Sequence, residues 1–274
     1  MKTRLLFIVT FLAVLFINNT YSQWLAIPTV NNPICTQVAS QGGSTITSDG
    51  SGGAIITWVD ERNGNWDIYA QRINATGLVQ WTTDGVAICT ANGIQSTVAI
   101  ESDGSGGAII TWQDFRNGND YDIYAQKINS SGAVQWASDG VAICTSTSDQ
   151  TLPKIAINGS GGAFITWQSG SGFAIDIYAQ EINSAGTVLW PVSGIAVCTA
   201  SFKQAFPAIV SDGNNGAIIT WNDVRNGNDN DIYAQKINNS GVQWSANGVA
   251  VSLAADNQGS PAIASDGNNG AIIT

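Results

Sequence analysis

Apolar residues in this chain come in short runs separated by clusters of Gly, Asn, Asp and Ser. No useful length of it holds the 3.6-residue period of a helix, so the runs read as β-strands and the polar clusters as turns. The runs return at a fixed interval. Asp67-Ile-Tyr-Ala-Gln71 recurs as Asp122–Gln126, Asp176–Gln180 and Asp231–Gln235, steps of 54 or 55 residues. Upstream of each copy lies Gly-Ala-Ile-Ile-Thr-Trp or a near copy, ending at Trp58, Trp112, Trp167 or Trp221. Downstream lies a run ending at Trp81, Trp136, Trp190 or Trp244. A fixed period of this length means one supersecondary unit copied along the chain.

In the second copy the pattern predicts strands over Ser96–Ser102, Gly107–Asp114, Asp122–Asn129 and Val141–Cys144. A further short extended piece falls at Ala133–Trp136. Asp103-Gly104-Ser105-Gly106 is a hairpin turn signal, and Asp139-Gly140 another. Four short antiparallel strands in about 54 residues match one blade of a β-propeller. Gly107–Thr111 is apolar without alternation, as expected where a sheet is buried on both faces. Trp112 and Tyr124 are large enough to fill the gap to the next blade. A parallel β-solenoid is the alternative, but its rungs are shorter and its turns different. The expected fold is all-β, a propeller of four-stranded antiparallel blades. Its units are about 42–95, 96–150, 151–204 and 205–259, with a partial one at 260–274.

The order of strand, Asp-Gly turn, strand, Arg-x-Gly-Asn and Asp-Ile-Tyr resembles the repeats of TolB-like propellers. Here it reads Ser102-Asp-Gly, Arg116-Asn-Gly-Asn119 and Asp122-Ile-Tyr124. The unit is similar also to secreted bacterial repeat proteins carrying Trp-x-Asp-x-Arg-Asn-Gly and Asp-Ile-Tyr-Ala-Gln. The connection Gly77–Asp84 is longer than in TolB-like repeats, so no partner carries over. The resemblance implies a propeller and no particular activity.

The two ends depart from the repeat. Lys2 and Arg4 precede an apolar run, Leu5–Ile17, and a polar stretch ending in small residues. Residues 1–22 read as a secretory signal peptide cut between Ser22 and Gln23, and no later run is long enough to span a bilayer. Secretion or display at the cell surface is therefore expected. Residues 24–36 match only the tail of a unit, since Ile34-Cys-Thr36 aligns with Ile88-Cys-Thr90. They are expected to serve as a closing strand. The last unit stops mid-strand at Thr274, so further residues are expected beyond it, and these 274 residues alone are expected to self-associate.

Charge and composition narrow the chemistry. Loss of Lys2 and Arg4 takes the formal charge from −10 to −12, which disfavours nucleic acid as a partner. There is no His, which excludes a Ser-His-Asp or Cys-His apparatus. Cys35, Cys89, Cys144 and Cys198 occupy one equivalent position, too far apart for disulfides; each is expected reduced and buried on a fourth strand. The loops Asn117–Asp122 and Asn226–Asp231 bear oxygen ligands in the manner of calcium loops. They read as ordinary turns in which the Asp of Asp-Ile-Tyr bonds backbone N–H groups. No metal and no cofactor is expected.

Asp60 and Arg62 recur as Asp114 and Arg116 and as Asp223 and Arg225, and are lost together to Ser169 and Ser171. Joint loss implies that the two side chains brace one loop; the functional alternative is a ring that binds a polar ligand. Glu181 replaces Arg72, Lys127 and Lys236 and reads as a solvated face. Glu61 replaces Phe115 and Val224 in a loop. Glu101 stands on a channel-side strand where other units have Thr47, Ala156, Val210 and Ala264. It is the catalytic candidate, without an evident partner carboxylate. Near-identical loops in several units favour a non-enzymatic scaffold binding protein or glycan, an enzyme being the less favoured reading. The alternative is a propeller hydrolase or lyase acting on polysaccharide.

Overall fold

The computed structural model describes residues 31–274, and the signal-peptide cut at Ser22–Gln23 lies outside them. Nineteen strands are found among the described residues, in sheets that follow chain order. The first blade holds β1 (Gln41–Ser48), β2 (Ala54–Asp60), β3 (Asp67–Ile73) and β4 (Val86–Cys89). The second holds β5 (Gln95–Ser102), β6 (Ala108–Asp114), β7 (Asp122–Ile128) and β8 (Val141–Cys144). The third holds β9 (Gln150–Ile157), β10 (Ala163–Ser171), β11 (Ala174–Ile182) and β12 (Ile195–Cys198). The fourth holds β13 (Gln204–Ser211), β14 (Gly216–Asp223), β15 (Asp231–Asn238), the two-residue β16 (Gly241–Val242) and β17 (Val249–Ser252). β18 (Ile263–Ser265) and β19 (Ala271–Ile273) form a two-stranded sheet. All pairings are antiparallel, so the structure is a propeller of four-stranded blades. The piece around Ala133–Trp136 reduces to a single bridge, Ile128 to Val134.

The core lies between blades, and strand alternation explains why both faces of β6 are apolar. Ala108, Ile110 and Trp112 pack with Ile55, Ile68 and Trp81 of the first blade. Ile109 points the other way and packs with Ile155, Ile165 and Trp167 of the third. Trp112 therefore fills the gap to the preceding blade, a correction to the expected direction. Side chains alternate along the strand, so Trp112 shares its face with Ala108 and Ile110, the face that meets the first blade. Gly140, at φ +89°, lies where a Cβ would meet the Trp112 ring at 2.6 Å, so this turn needs both the conformation and the bareness of glycine.

The repeated letters have repeated contacts. Gln71 is fully buried; its Oε1 accepts the backbone N–H of Trp81 at 2.9 Å and its Nε2 donates to Thr82 O at 2.8 Å. Trp81 then donates its indole N–H to Ser130 O in the next blade at 3.1 Å. Gln126 and Trp136 repeat this toward Ser184.

The Asp–Arg pairs lie at the opposite end of the middle strands. Arg62 and Asp60, Arg116 and Asp114, and Arg225 and Asp223 each meet at 2.6 Å. In each pair the Asp is fully buried, so the brace is an interior contact. Trp112 Nε1 donates to Asp114 at 2.7 Å, Arg116 lies 3.7 Å from the Tyr124 ring centroid, and Arg116 donates to Asp139 O at 2.8 Å. The same guanidinium reaches Cys89 Sγ of the preceding blade at 3.3 Å. In the third blade, Ser169 and Ser171 stand in place of the pair. Trp167 Nε1 is there buried without a hydrogen-bond partner, and Cys144 turns to Ser146 at 3.4 Å.

Cys89, Cys144 and Cys198 are unpaired and buried on β4, β8 and β12. Cys35 differs from expectation, being only half-buried and outside any strand. Its segment still docks on the first blade. Thr36 N–H donates to Asp84 at 2.7 Å, as Thr90 does to Asp139 and Thr199 to Asn247, both at 2.9 Å.

Removing one partner of a buried ion pair strands the other. Asp114→Ala is therefore expected to cost about 2–3 kcal/mol in urea denaturation, and Ser169→Ala less than about 0.5 kcal/mol. Equal losses at the two positions would show that the pair braces nothing.

Candidate functional site

The inner strands β1, β5, β9 and β13 lie side by side in order around an axial space, with β18 next to β13. Thr45, Val98, Lys154, Ala208 and Ile263 border one cavity along it, so the strands of all five sheets face the same channel. Where the inner strands end, a second cavity of about 410 Å³ is bordered by Glu101, Ser102, Ala156, Val210, Ser211 and Ser265, among others.

Glu101 sits on β5 opposite Ile109. Its Oε1 accepts the backbone N–H of Ser102 at 3.2 Å. Burial pushes its carboxyl above the usual carboxylate range, and that hydrogen bond only partly offsets the rise. The structure thus places the sequence's catalytic candidate at a cavity. No second carboxylate is among the cavity's described lining residues.

Glu181 is not on a solvated face. It is 5% exposed, held by Asn158 Nδ2 at 3.0 Å, and burial raises its pKa. The first and fourth blades carry ion pairs at this place, Asp49–Arg72 and Asp212–Lys236, both at 2.9 Å. The third blade has changed both partners together, to Asn158 and Glu181. It is a buried strut within the third blade and is not among the described lining residues of the axial cavity.

In the first, second and fourth blades the Asp opening Asp-Ile-Tyr accepts from an Asn side chain, not from a backbone N–H group. Asn63 Nδ2 reaches Asp67 at 2.6 Å and Asn117 Nδ2 reaches Asp122 at 2.9 Å. Asp122 lies opposite Asp114 across the strand pair. Its Oδ1 is buried without a hydrogen-bond partner. Burial first, then the charges of Asp120 and Asp114, push Asp122 up to about 6. Asp60 moves the other way. Burial works to raise it, but hydrogen bonds from Arg62 and Trp58 overcome that and hold it at about 2. Groups of three or more His, Cys, Asp or Glu side chains able to hold a metal are absent among the described residues.

One feature of the molecule escaped the sequence reading. A cavity of about 560 Å³ opens between the first and second blades, where the inner strands begin, bordered by Gln41, Gly43, Val59, Glu61, Trp66, Ser96, Thr97, Gln113 and Tyr121, among others. The repeat comparison that singled out Glu61 would also have found Trp66, whose counterparts are Tyr121, Ile175 and Asn230. The inner strands β1, β5, β9 and β13 carry a bulge at this level, with φ positive at Gly43, Thr97, Leu152 and Phe206, and Ser260, ahead of β18, has positive φ too. Positive φ is costly at Thr, Leu and Phe, and no residue-type signal announces it at those positions.

No protein-family model matches the chain, and no curated protein does. Solved structures do. An α-L-arabinofuranosidase from Lactobacillus brevis aligns at 9% identity and a TM-score of 0.49, covering 78% of each chain. An endo-arabinase from Bacteroides thetaiotaomicron aligns at 12% and 0.44, covering 75% of each. An α-L-arabinanase from Penicillium chrysogenum aligns at 15% and 0.40, covering 65% of this chain and 60% of that one. At these identities the likeness concerns the propeller fold. The proteins so matched are named as glycan-acting enzymes, against the expectation of a non-enzymatic scaffold, more likely no enzyme than one, and that expectation is withdrawn. The polysaccharide-acting alternative is the reading carried forward.

The shifts set a pH test. A carboxyl raised in the folded state stabilises the fold below its unfolded value of about 3.9 and loses that contribution as pH rises through about 6. Asp122→Asn is therefore expected to melt higher than the parent at pH 8, with the advantage gone at pH 3.5. An advantage that is the same at both values would contradict the raised pKa.

Proposed function

We propose that this chain is an exported enzyme acting on polysaccharide, with Glu101 as its proton-donating carboxyl. One observation carries the reading. A single inner-strand position breaks the repeat with a carboxyl, and that carboxyl is desolvated at the edge of an axial cavity. A carboxylic acid whose pKa is raised by burial holds its proton to higher pH and can donate it to a leaving glycosidic oxygen, in hydrolysis or in elimination. The lining offers Ser102, Ser211 and Ser265 as hydroxyl partners for a sugar. The proposal covers the acid half of the reaction, because the cavity's described lining holds no second carboxylate. Kinship with TolB-like exported bacterial propellers, and cleavage after Ser22, belong to the same proposal and would put the enzyme where its substrate is.

The test is reducing-end release from a panel of soluble polysaccharides that includes arabinan and xylan. The parent is expected to act on at least one of them, with a rate that falls as pH rises through the raised Glu101 pKa. Glu101→Gln should lower the rate by about 100-fold or more with an unchanged melting temperature. Full activity in Glu101→Gln would remove Glu101 from the mechanism.

A further inference from the structure

We propose that the cavity between the first and second blades is a binding site for neutral, hydroxyl-rich sugar rings, with the face of Trp66 as its platform. It lies at the other end of the inner strands from Glu101 and does not depend on the catalytic reading.

The cavity exists because the repeat fails at this seam. At the next seam, Gln113 Oε1 accepts the N–H of the bulge residue Leu152 at 3.4 Å. Gln168 holds Phe206 and Asn222 holds Ser260, both at 3.2 Å. In the first blade the equivalent residue is Val59, which has no acceptor to offer Thr97. Gly43 stands where later blades have Leu152 and Phe206, so less side chain fills the space. The opening that results is about 560 Å³, within the ~300–1,000 Å³ range of small-molecule sites.

The lining selects the ligand class. Trp66 is 45% exposed, and its indole N–H donates to Glu61 Oε1. A half-exposed aromatic face offers an apolar surface to the C–H side of a sugar ring. Hydrogen-bonding groups surround it. Glu61 Oε2 has no partner among the described residues, Gln113 Nε2 donates to Ser96 Oγ at 3.2 Å, and Gln41 stands on the opposite wall. Tyr121 is steadied by Phe115, their ring centroids 5.1 Å apart. The described lining holds no Lys or Arg, and the chain is net negative. An anionic uronate is therefore repelled where a neutral sugar is not.

The experiment is calorimetric titration of the full chain with neutral xylo-, arabino-, manno- and cello-oligosaccharides and with an oligogalacturonate. Saturable binding of at least one neutral oligosaccharide is expected, and none of the uronate. Trp66→Ala should weaken that binding by about tenfold or more without lowering the melting temperature. Phe173→Ala, an exposed aromatic on a remote loop, should leave it unchanged. The titration reads binding and the reducing-end assay reads turnover, so a failed catalytic proposal and a failed binding site give different results. No neutral binding, a preference for the uronate, or equal affinity in Trp66→Ala would each overturn the site.

Discussion

A buried carboxylate clasped by an arginine is the contact on which the blades depend. Asp114 takes a proton donor from Trp112 on its own strand and two from Arg116 in the following loop. The arginine lies on Tyr124, reaches the carbonyl of Asp139, and touches the cysteine of the preceding blade. One node thus ties two strands, two connections and a neighbouring blade. A buried charge is tolerated only when it is paired and hydrogen-bonded, so the node leaves little freedom to the loop it closes. Where Ser169 and Ser171 replace it, β10 and β11 extend in register to Ser171 and Ala174 and join through a tight turn. The third blade keeps its place with a plain hairpin, at the cost of an indole N–H left unbonded.

Much of this was legible because the chain repeats itself. The joint loss of Asp and Arg in one unit identified them as partners, and the apolar Gly107–Thr111 run announced burial on both faces. The letters of Asp-Ile-Tyr-Ala-Gln proved to be strand, aromatic seat and loop anchor in turn. What stayed hidden depends on the surroundings of a residue. Glu181 reads as solvated until Asn158 is seen beside it, because the exchange involves positions 23 apart in sequence. Cys35 shares its motif with three buried cysteines but lies outside the strands of the described residues and is only half-buried there. The bulges at Thr97, Leu152 and Phe206 place side-chain-bearing residues at positive φ, against their local preference, where the inner strands break register with the middle ones.

The same contrast separates scaffold from chemistry. Contacts present in several blades explain architecture, since a single active site cannot be built four times. The departures are few. Glu101 is an acid on an inner strand, and Val59 with Gly43 opens a seam beside Glu61 and Trp66. The near-identical loops that first suggested a repeated binding surface have buried their Asp groups in the nodes, so they offer little to a ligand.

The central claim is that function resides where the repeat breaks. Crystals soaked in the oligosaccharides that the protein binds or cleaves test it most directly. Sugar density is expected against Trp66 at the first seam and in the axial cavity beside Glu101, and at no set of equivalent positions. Density repeated at the Asp–Arg loops of the first, second and fourth blades would contradict the account.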